Sequence, residues 1–258
     1  MRIHVGCSGW SYDEWDGVFY PDRVSDKLSF YSMVFNTVEI DSTFYRIPER
    51  STVKRWRKVM AGKPFTFSVK VPGDVTHDSI FSDLGTACNI FGTFKEIVLE
   101  ELSKDNLLGP VLFQMPPRFD VNGADRLEYL IKCAGIKNVA VEVRNRTLYE
   151  NSDFRKMIEG LGAVIVDVDS AERRLQRIES NLSWAYVRLH GRTTGGWKAE
   201  NPFDYRYTDE EIREIASKIE SVKYDDIFVY FNNHPHGSAP VNAMMLTRIL
   251  GISNNAFF

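Results

Sequence analysis

Several stretches of this chain place two ionisable residues exactly two positions apart, the spacing that puts both on one face of a β-strand. Glu39 and Asp41, Glu142 and Arg144, Asp167 and Asp169, and Arg188 and His190 stand this way, with Ser68 and Lys70, Gln114, Asn232 and His234 on matching positions elsewhere. A carboxylate beside a guanidinium can activate water or be held as an ion pair, and the guanidinium can instead grip an anionic ligand with two hydrogen bonds. His190 has a reference pKa near neutrality and suits a general acid or base, with a hydrogen-bonded core histidine as the competing reading. Lys70, with so many carboxylates in the set, reads as an electrostatic clamp rather than a nucleophile. The catalytic expectation falls on Glu142, His190 and Glu39. Burying Glu39, Asp41, Glu142, Asp167 and Asp169 against only Lys70, Arg144 and Arg188 costs several kcal/mol per unpaired ion unless water, a ligand or a metal reaches them, which argues for a wet, functional pocket.

A single divalent ion is one option, because Glu39, Asp41, Asp167, His190 and His234 offer the oxygen and imidazole ligands that suit Zn, Mn or Mg. The chain has 5 His in all, too few for a multi-zinc centre. Two loops suit a phosphate: HGRTTGG from His190 to Gly196, where Arg192 supplies charge, and NNHPHGSAP from Asn232 to Pro240, with Asn233 and His234. Aromatic residues crowd nearby loops. Trp10, Tyr45 and Trp197 read as ligand contacts on which a sugar face or a nucleobase would stack, whereas Trp15 and Tyr207 read as packing under loops.

These residues need elements to position them. Short β-branched runs bounded by turn residues predict eight strands, at 3–8, 37–43, 65–71, 110–115, 139–145, 163–169, 184–190 and 227–234. Helical patterns alternate with them at 26–36, 52–61, 90–104, 124–134, 154–161, 171–178, 209–222 and 240–250, and Thr208 with Glu211 forms a capping-box signature before the seventh. Eight βα units in a chain of 258 residues predict a TIM-type (β/α)8 barrel, a closed parallel sheet with outer helices, as one domain over 1–258. The polar parity of each strand would then face inward at the C-terminal rim, where such barrels carry their sites.

Composition sets the outer bounds. With 43% hydrophobic residues the chain can bury a sizeable core, and 32 Lys plus Arg against 35 Asp plus Glu leaves no global basic field, so contact with nucleic acid must be local. Cys7, Cys88 and Cys133 have no metal-type spacing and read as reduced thiols of a cytoplasmic protein. No apolar run is long enough for a membrane span, and the N-terminus opens as a strand rather than a signal segment.

The blocks VGCSGWSY (5–12), FYP (19–21), EIDSTFYRIP (39–48), FSVKVP (67–72) with VTH (75–77), LGPVLFQMPPRF (108–119), AVEVR (140–144), YVRLHGR (186–192) and YFNNH (230–234) resemble the YecE-like family, domain of unknown function 72, in order and over nearly the whole chain. The resemblance implies a TIM-like barrel of this length and supplies no activity. It also implies that Glu39, Lys70, Gln114, Glu142, Arg144, Arg188, His190, Asn232 and Asn233 line a pocket. The family usually has Asn at the position of Asp41, and His and Trp at those of Asn145 and Leu148; were that family histidine the catalytic base, this chain would lack it, so the base is placed among Glu142, Glu39 and His190. The function expected is a hydrolase using acid/base chemistry on a phosphorylated or phosphodiester substrate, an anionic small molecule or a single-stranded nucleic-acid end. Lys70, Arg144 and Arg188 would hold the anion, Glu142 or Glu39 would activate water and His190 would protonate the leaving group. A carbohydrate-active enzyme, glycoside hydrolase or isomerase, is the alternative, and a non-catalytic nucleotide or nucleic-acid binder the third.

Overall fold

A computed structural model describes residues 1–252. Its strands are β1 (Arg2–Cys7), β2 (Thr37–Ile40), β3 (Thr66–Lys70), β4 (Leu108–Met115), β5 (Val139–Val143), β6 (Val164–Ile165), β7 (Asp167–Ser170), β8 (Trp184–Gly191) and β9 (Asp226–Phe231). Each expected strand is present; β6 and β7 together occupy the sixth, interrupted at Val166. One sheet has the order β1-β9-β8-β7, the other β2-β3-β4-β5-β6, and the recorded strand pairs are parallel. Parallel pairing requires a crossover between successive strands, and helices supply most of these connections.

The helices are α1 (Lys27–Val34), α2 (Arg50–Met60), α3 (Ile80–Ser82), α4 (Leu84–Phe94), α5 (Glu100–Ser103), α6 (Ala124–Ala134), α7 (Arg146–Tyr149), α8 (Ser152–Gly160), α9 (Asp209–Glu220) and α10 (Ser238–Ile249). The capping box at α9 forms as expected, with Thr208 Oγ1 accepting from the Glu211 amide at 3.3 Å and Glu211 Oε2 from the Thr208 amide at 3.0 Å. The helix expected over 171–178 is absent. Its amides go elsewhere: Asp169 Oδ2 accepts from Leu175 N at 2.9 Å, Asp167 Oδ2 from Glu179 N at 2.9 Å and Ser170 Oγ from Arg173 N at 3.1 Å. Side-chain acceptors have replaced the i→i−4 carbonyls, and the segment runs irregularly across the strand ends.

The described residues form two compact units, one of Met1–Glu39 with the described residues from Asp167 onward, the other of Ile40–Val166. In the first, α10 packs on β1 and β9 and α9 packs on α10, over a core that includes Val5, Val187, Leu189, Val229, Ile215 and Leu246. Its β1 and β2 approach closely at Gly6, where a Cβ would come 2.2 Å from the Thr37 carbonyl oxygen. In the second, α4 packs on α6 and α2 on α5, around Phe67, Val69, Phe91, Phe113, Val141 and Leu130.

The expectation of three reduced thiols is corrected here. Cys88 on α4 and Cys133 on α6 are joined as a disulfide, 45 residues apart in sequence, and only the packing of those helices brings them together. Cys7 is free and buried, and burial pushes its thiol pKa up. No helix among the described residues is long and apolar enough to cross a membrane.

Candidate functional site

In the first unit the polar parity of β8 brings Tyr186, Arg188 and His190 to one face. Arg188 and Glu39 have no exposed side-chain surface, and an Arg188 guanidinium nitrogen lies 2.7 Å from Glu39 Oε1. Tyr186 donates to Glu39 Oε2 at 2.6 Å, and the Ser8 hydroxyl donates to Oε1. Burial, followed by the charge of Glu39, raises the Tyr186 pKa well above the ordinary phenol value. Both oxygens of Glu39 are thus held by fixed donors, a structural ion pair tying the end of β2 to β8.

Arg192 is likewise engaged. It grips Asp169 through two nitrogens at 2.8 and 2.9 Å and Glu211 through a third at 2.7 Å, while Tyr207 donates to Asp169 at 2.9 Å. Tyr207 and Trp15 are buried, packed under loops as their sequence context suggested. Asn233 donates to Tyr205 O at 2.8 Å and Asn242 Oδ1 at 3.0 Å, which fastens the β8–α9 connection to α10. Asp167 turns toward the irregular segment that follows β7.

His190 is buried, with Nδ1 3.1 Å from Asn232 Nδ2 and its ring edge-on to Trp197 at a centroid distance of 5.2 Å. Ser170, Glu172, His190, Gly191, Trp197 and Pro202 line a narrow recess. Glu172 Oε1 latches this recess by accepting from the Trp197 amide at 2.6 Å. His234 lies at the surface, stacked on Tyr12 at 4.7 Å and 3.3 Å from Glu14. Trp10 is half-buried, its carbonyl accepting from the Tyr20 hydroxyl.

The second unit gathers its own set. Lys70 ends β3, Gln114 and Glu142 are register partners near the ends of β4 and β5, and Arg144 follows β5 directly. Lys70 Nζ lies 2.8 Å from Asp41 Oδ1 and 4.2 Å from the centroid of Phe44. Arg144 Nε stands 3.7 Å from Glu142 Oε1, and an outer guanidinium nitrogen 3.5 Å from Gln114 Oε1. Tyr45 projects beside them, 79% exposed; burial of its hydroxyl and then the charge of Asp41 raise its pKa, against the lowering effect of Arg144.

Two residues of this cluster escaped the strand-parity reading. His77 sits on a π-helical turn, Asp74–Ser79, and packs edge-on against Phe44 at 4.8 Å. Arg118, in the loop after β4, donates to the His77 carbonyl and lies over the Phe81 ring. Burial, then Lys70, Arg144 and Arg118, hold the His77 pKa down at about 4, so the imidazole is neutral at pH 7. The sequence signal was available in the VTH and LGPVLFQMPPRF blocks, but neither residue lies on a strand.

The residues named for a metal do not assemble into a centre. Among the described residues no group of three or more His, Cys, Asp and Glu is arranged to hold an ion, and the oxygens of Glu39 are already taken by donors.

The family model described as "Protein of unknown function DUF72" matches residues 4–257. The chain belongs to the DUF72 family. UPF0759 protein YunF of Bacillus subtilis (strain 168) is 29% identical over 273 residues, covering 97% of this chain and 95% of that protein. The crystal structure of a DUF72 family protein from Thermotoga maritima MSB8 superposes with a TM-score of 0.87 at 27% identity, covering 97% of this chain and 100% of that one. At the level of fold alone, a D-psicose 3-epimerase from Clostridium cellulolyticum H10 matches with a TM-score of 0.54 at 13% identity over 99% of both chains. The fold of this DUF72 protein is therefore α/β with parallel strands and TIM-barrel-like, as the strand count indicated.

Proposed function

We propose that this DUF72 protein is an acid/base hydrolase of a phosphorylated or phosphodiester substrate, whose anion is held by Lys70, Arg144 and Arg118 in the second unit. The observation that carries the reading is the gathering of these cations around a neutral His77 at the C-terminal ends of parallel strands, beside the exposed Tyr45. Asp41 and the Phe44 ring hold the Lys70 ammonium in place, so it meets a ligand already oriented. Arg144 offers a planar fork to a tetrahedral anion, and Gln114 steadies it.

Glu142, 1% exposed and beside Arg144, is the base. It takes a proton from water as the water oxygen attacks phosphorus and the bond to the leaving oxygen breaks, the leaving oxygen taking its proton from solvent, while the cations stabilise the charge that develops. Glu39 serves the structural pair with Arg188 and is given no step. His190 remains a candidate proton carrier of the recess in the first unit, with Asn232 orienting its ring.

A carbohydrate substrate is the second reading, favoured by the exposed Tyr45 ring close to the Asp41 carboxylate, an arrangement that suits a sugar face. Hydrolysis of aryl phosphate mono- and diesters against aryl glycosides decides between them. The phosphate reading expects release from the esters that falls about 10²- to 10⁴-fold in Glu142→Gln. Turnover of glycosides alone supports the sugar reading. Salt-sensitive binding of oligonucleotides without any product supports a binding protein.

A further inference from the structure

His77 has a feature that its part in a cationic cluster does not by itself explain. Its Nδ1 is 2.9 Å from Thr76 Oγ1, and that hydroxyl is also 3.3 Å from the Pro72 carbonyl oxygen, which can only accept. Assigned from this network, the Thr76 hydroxyl donates to Pro72 and receives Nδ1–H, which makes Nε2 the basic nitrogen. Among the described residues no protein group hydrogen-bonds Nε2. The ring is half-buried and is fixed by the same Phe44 side chain that supports the Lys70 ammonium. Phe44 in turn packs on Gly73, where a Cβ would come 3.0 Å from the ring. Imidazole and ammonium are thus presented on one aromatic platform.

We propose that binding of a dianionic oxyanion, the phosphoryl group of a monoester being the class it fits, places one proton from solvent on Nε2 of His77, so that the anion site is proton-coupled. The proposal rests on the anion-binding reading above and names the charge state of its ligand. The charged groups acting on His77 are Lys70 from β3, Arg144 after β5, Arg118 after β4, and Asp78 on its own turn; the three cations disfavour the imidazolium and Asp78 favours it. A dianion beside Lys70 and Arg144 reverses the cationic field, and the imidazolium then becomes a further donor to the ligand. Since the proton is bound more tightly in the complex than in the free protein, affinity must rise as pH falls through the His77 value of the complex. A monoanion such as a diester offers half the compensating charge and draws the proton less.

Sulfate tests this, because it remains a dianion throughout the range needed. Calorimetric titration of the wild-type protein from about pH 8 to about pH 5 is expected to show affinity rising about tenfold, with proton uptake visible as a dependence on buffer ionisation enthalpy. His77→Gln is expected to lose the rise, its sulfate affinity varying by less than about twofold between about pH 8 and about pH 5. In the wild-type protein, the NMR titration of the His77 ring is expected to move up by about two pH units when sulfate is added, the shift that a tenfold rise down to about pH 5 requires, and this readout is independent of how any variant folds. Sulfate binding that depends on Lys70 and Arg144 but is flat with pH, with an unmoved His77 titration, overturns the proton coupling and leaves the anion site standing. No sulfate binding at any pH overturns both.

Discussion

The ammonium of Lys70 lies 4.2 Å from the centroid of the Phe44 ring. A cation over an aromatic face gains about 0.5 to 2 kcal/mol, and here it is also aimed. Phe44→Leu keeps bulk and removes the ring quadrupole. The variant is expected to fold normally and to bind phosphate about three- to tenfold more weakly, read by calorimetry. Unchanged affinity would mean that the ring only fills space.

The pairing of Glu39 with Arg188 makes a different kind of demand. Neither side chain is exposed, so removing one charge strands the other in a medium that cannot solvate it. Glu39→Gln is expected to lose about 3 to 5 kcal/mol of stability in urea unfolding. Replacing both residues by Met should recover much of that loss. A Glu39→Gln variant with wild-type stability and lost turnover would show that Glu39 does chemistry.

Much of the fold could be read in the sequence because its strands are short β-branched runs that keep one parity apolar, as Val141 and Val143 do around Glu142. What could not be read depended on partners distant in sequence. Glu39 and Arg188 are 149 positions apart, so spacing showed a charge on each strand and could not show that each satisfies the other. The missing helix after β7 followed from Asp167 and Asp169 capturing amides downstream, a competition that helical periodicity does not register. His77 was passed over because it stands on a turn beyond β3, where strand parity says nothing about direction.

Acid should weaken the protein partly through His77. Its folded value of about 4 lies below the ordinary 6.5, so the unfolded chain binds more protons between those limits. The stabilisation from keeping the ring neutral is complete above the unfolded value and is lost as pH falls toward the folded one. Thermal melting near pH 7 and near pH 5 is expected to show a smaller acid-induced drop in Tm for His77→Gln than for the wild-type chain. An identical drop would place the acid sensitivity elsewhere.

Reducing the Cys88–Cys133 bond should loosen the pairing of α4 with α6. Closing a loop of 45 residues is worth about 2 to 4 kcal/mol in chain-entropy accounting. Melting with and without dithiothreitol should show the loss in the wild-type chain, and Cys133→Ser should melt low in both conditions. Equal melting of oxidised and reduced wild-type protein would contradict this.

Backbone proximity gives a further test. An alanine at Gly6 would push its methyl against the Thr37 carbonyl, which belongs to backbone and cannot turn aside. Gly6→Ala is expected to cost about 2 kcal/mol or more, seen as a lowered urea midpoint. A wild-type midpoint would show that β1 and β2 can separate without loss.

The central claim is that Lys70 and Arg144 form the heart of an anion site, and calorimetric titration with inorganic phosphate addresses it without any guess at the full substrate. The wild-type protein is expected to bind with one site per chain, and the Lys70→Met, Arg144→Met double variant at least about tenfold more weakly, since each charge-assisted hydrogen bond contributes about 1.5 to 3 kcal/mol. Equal affinity in the two proteins, or no phosphate binding by the wild-type chain, would contradict the account.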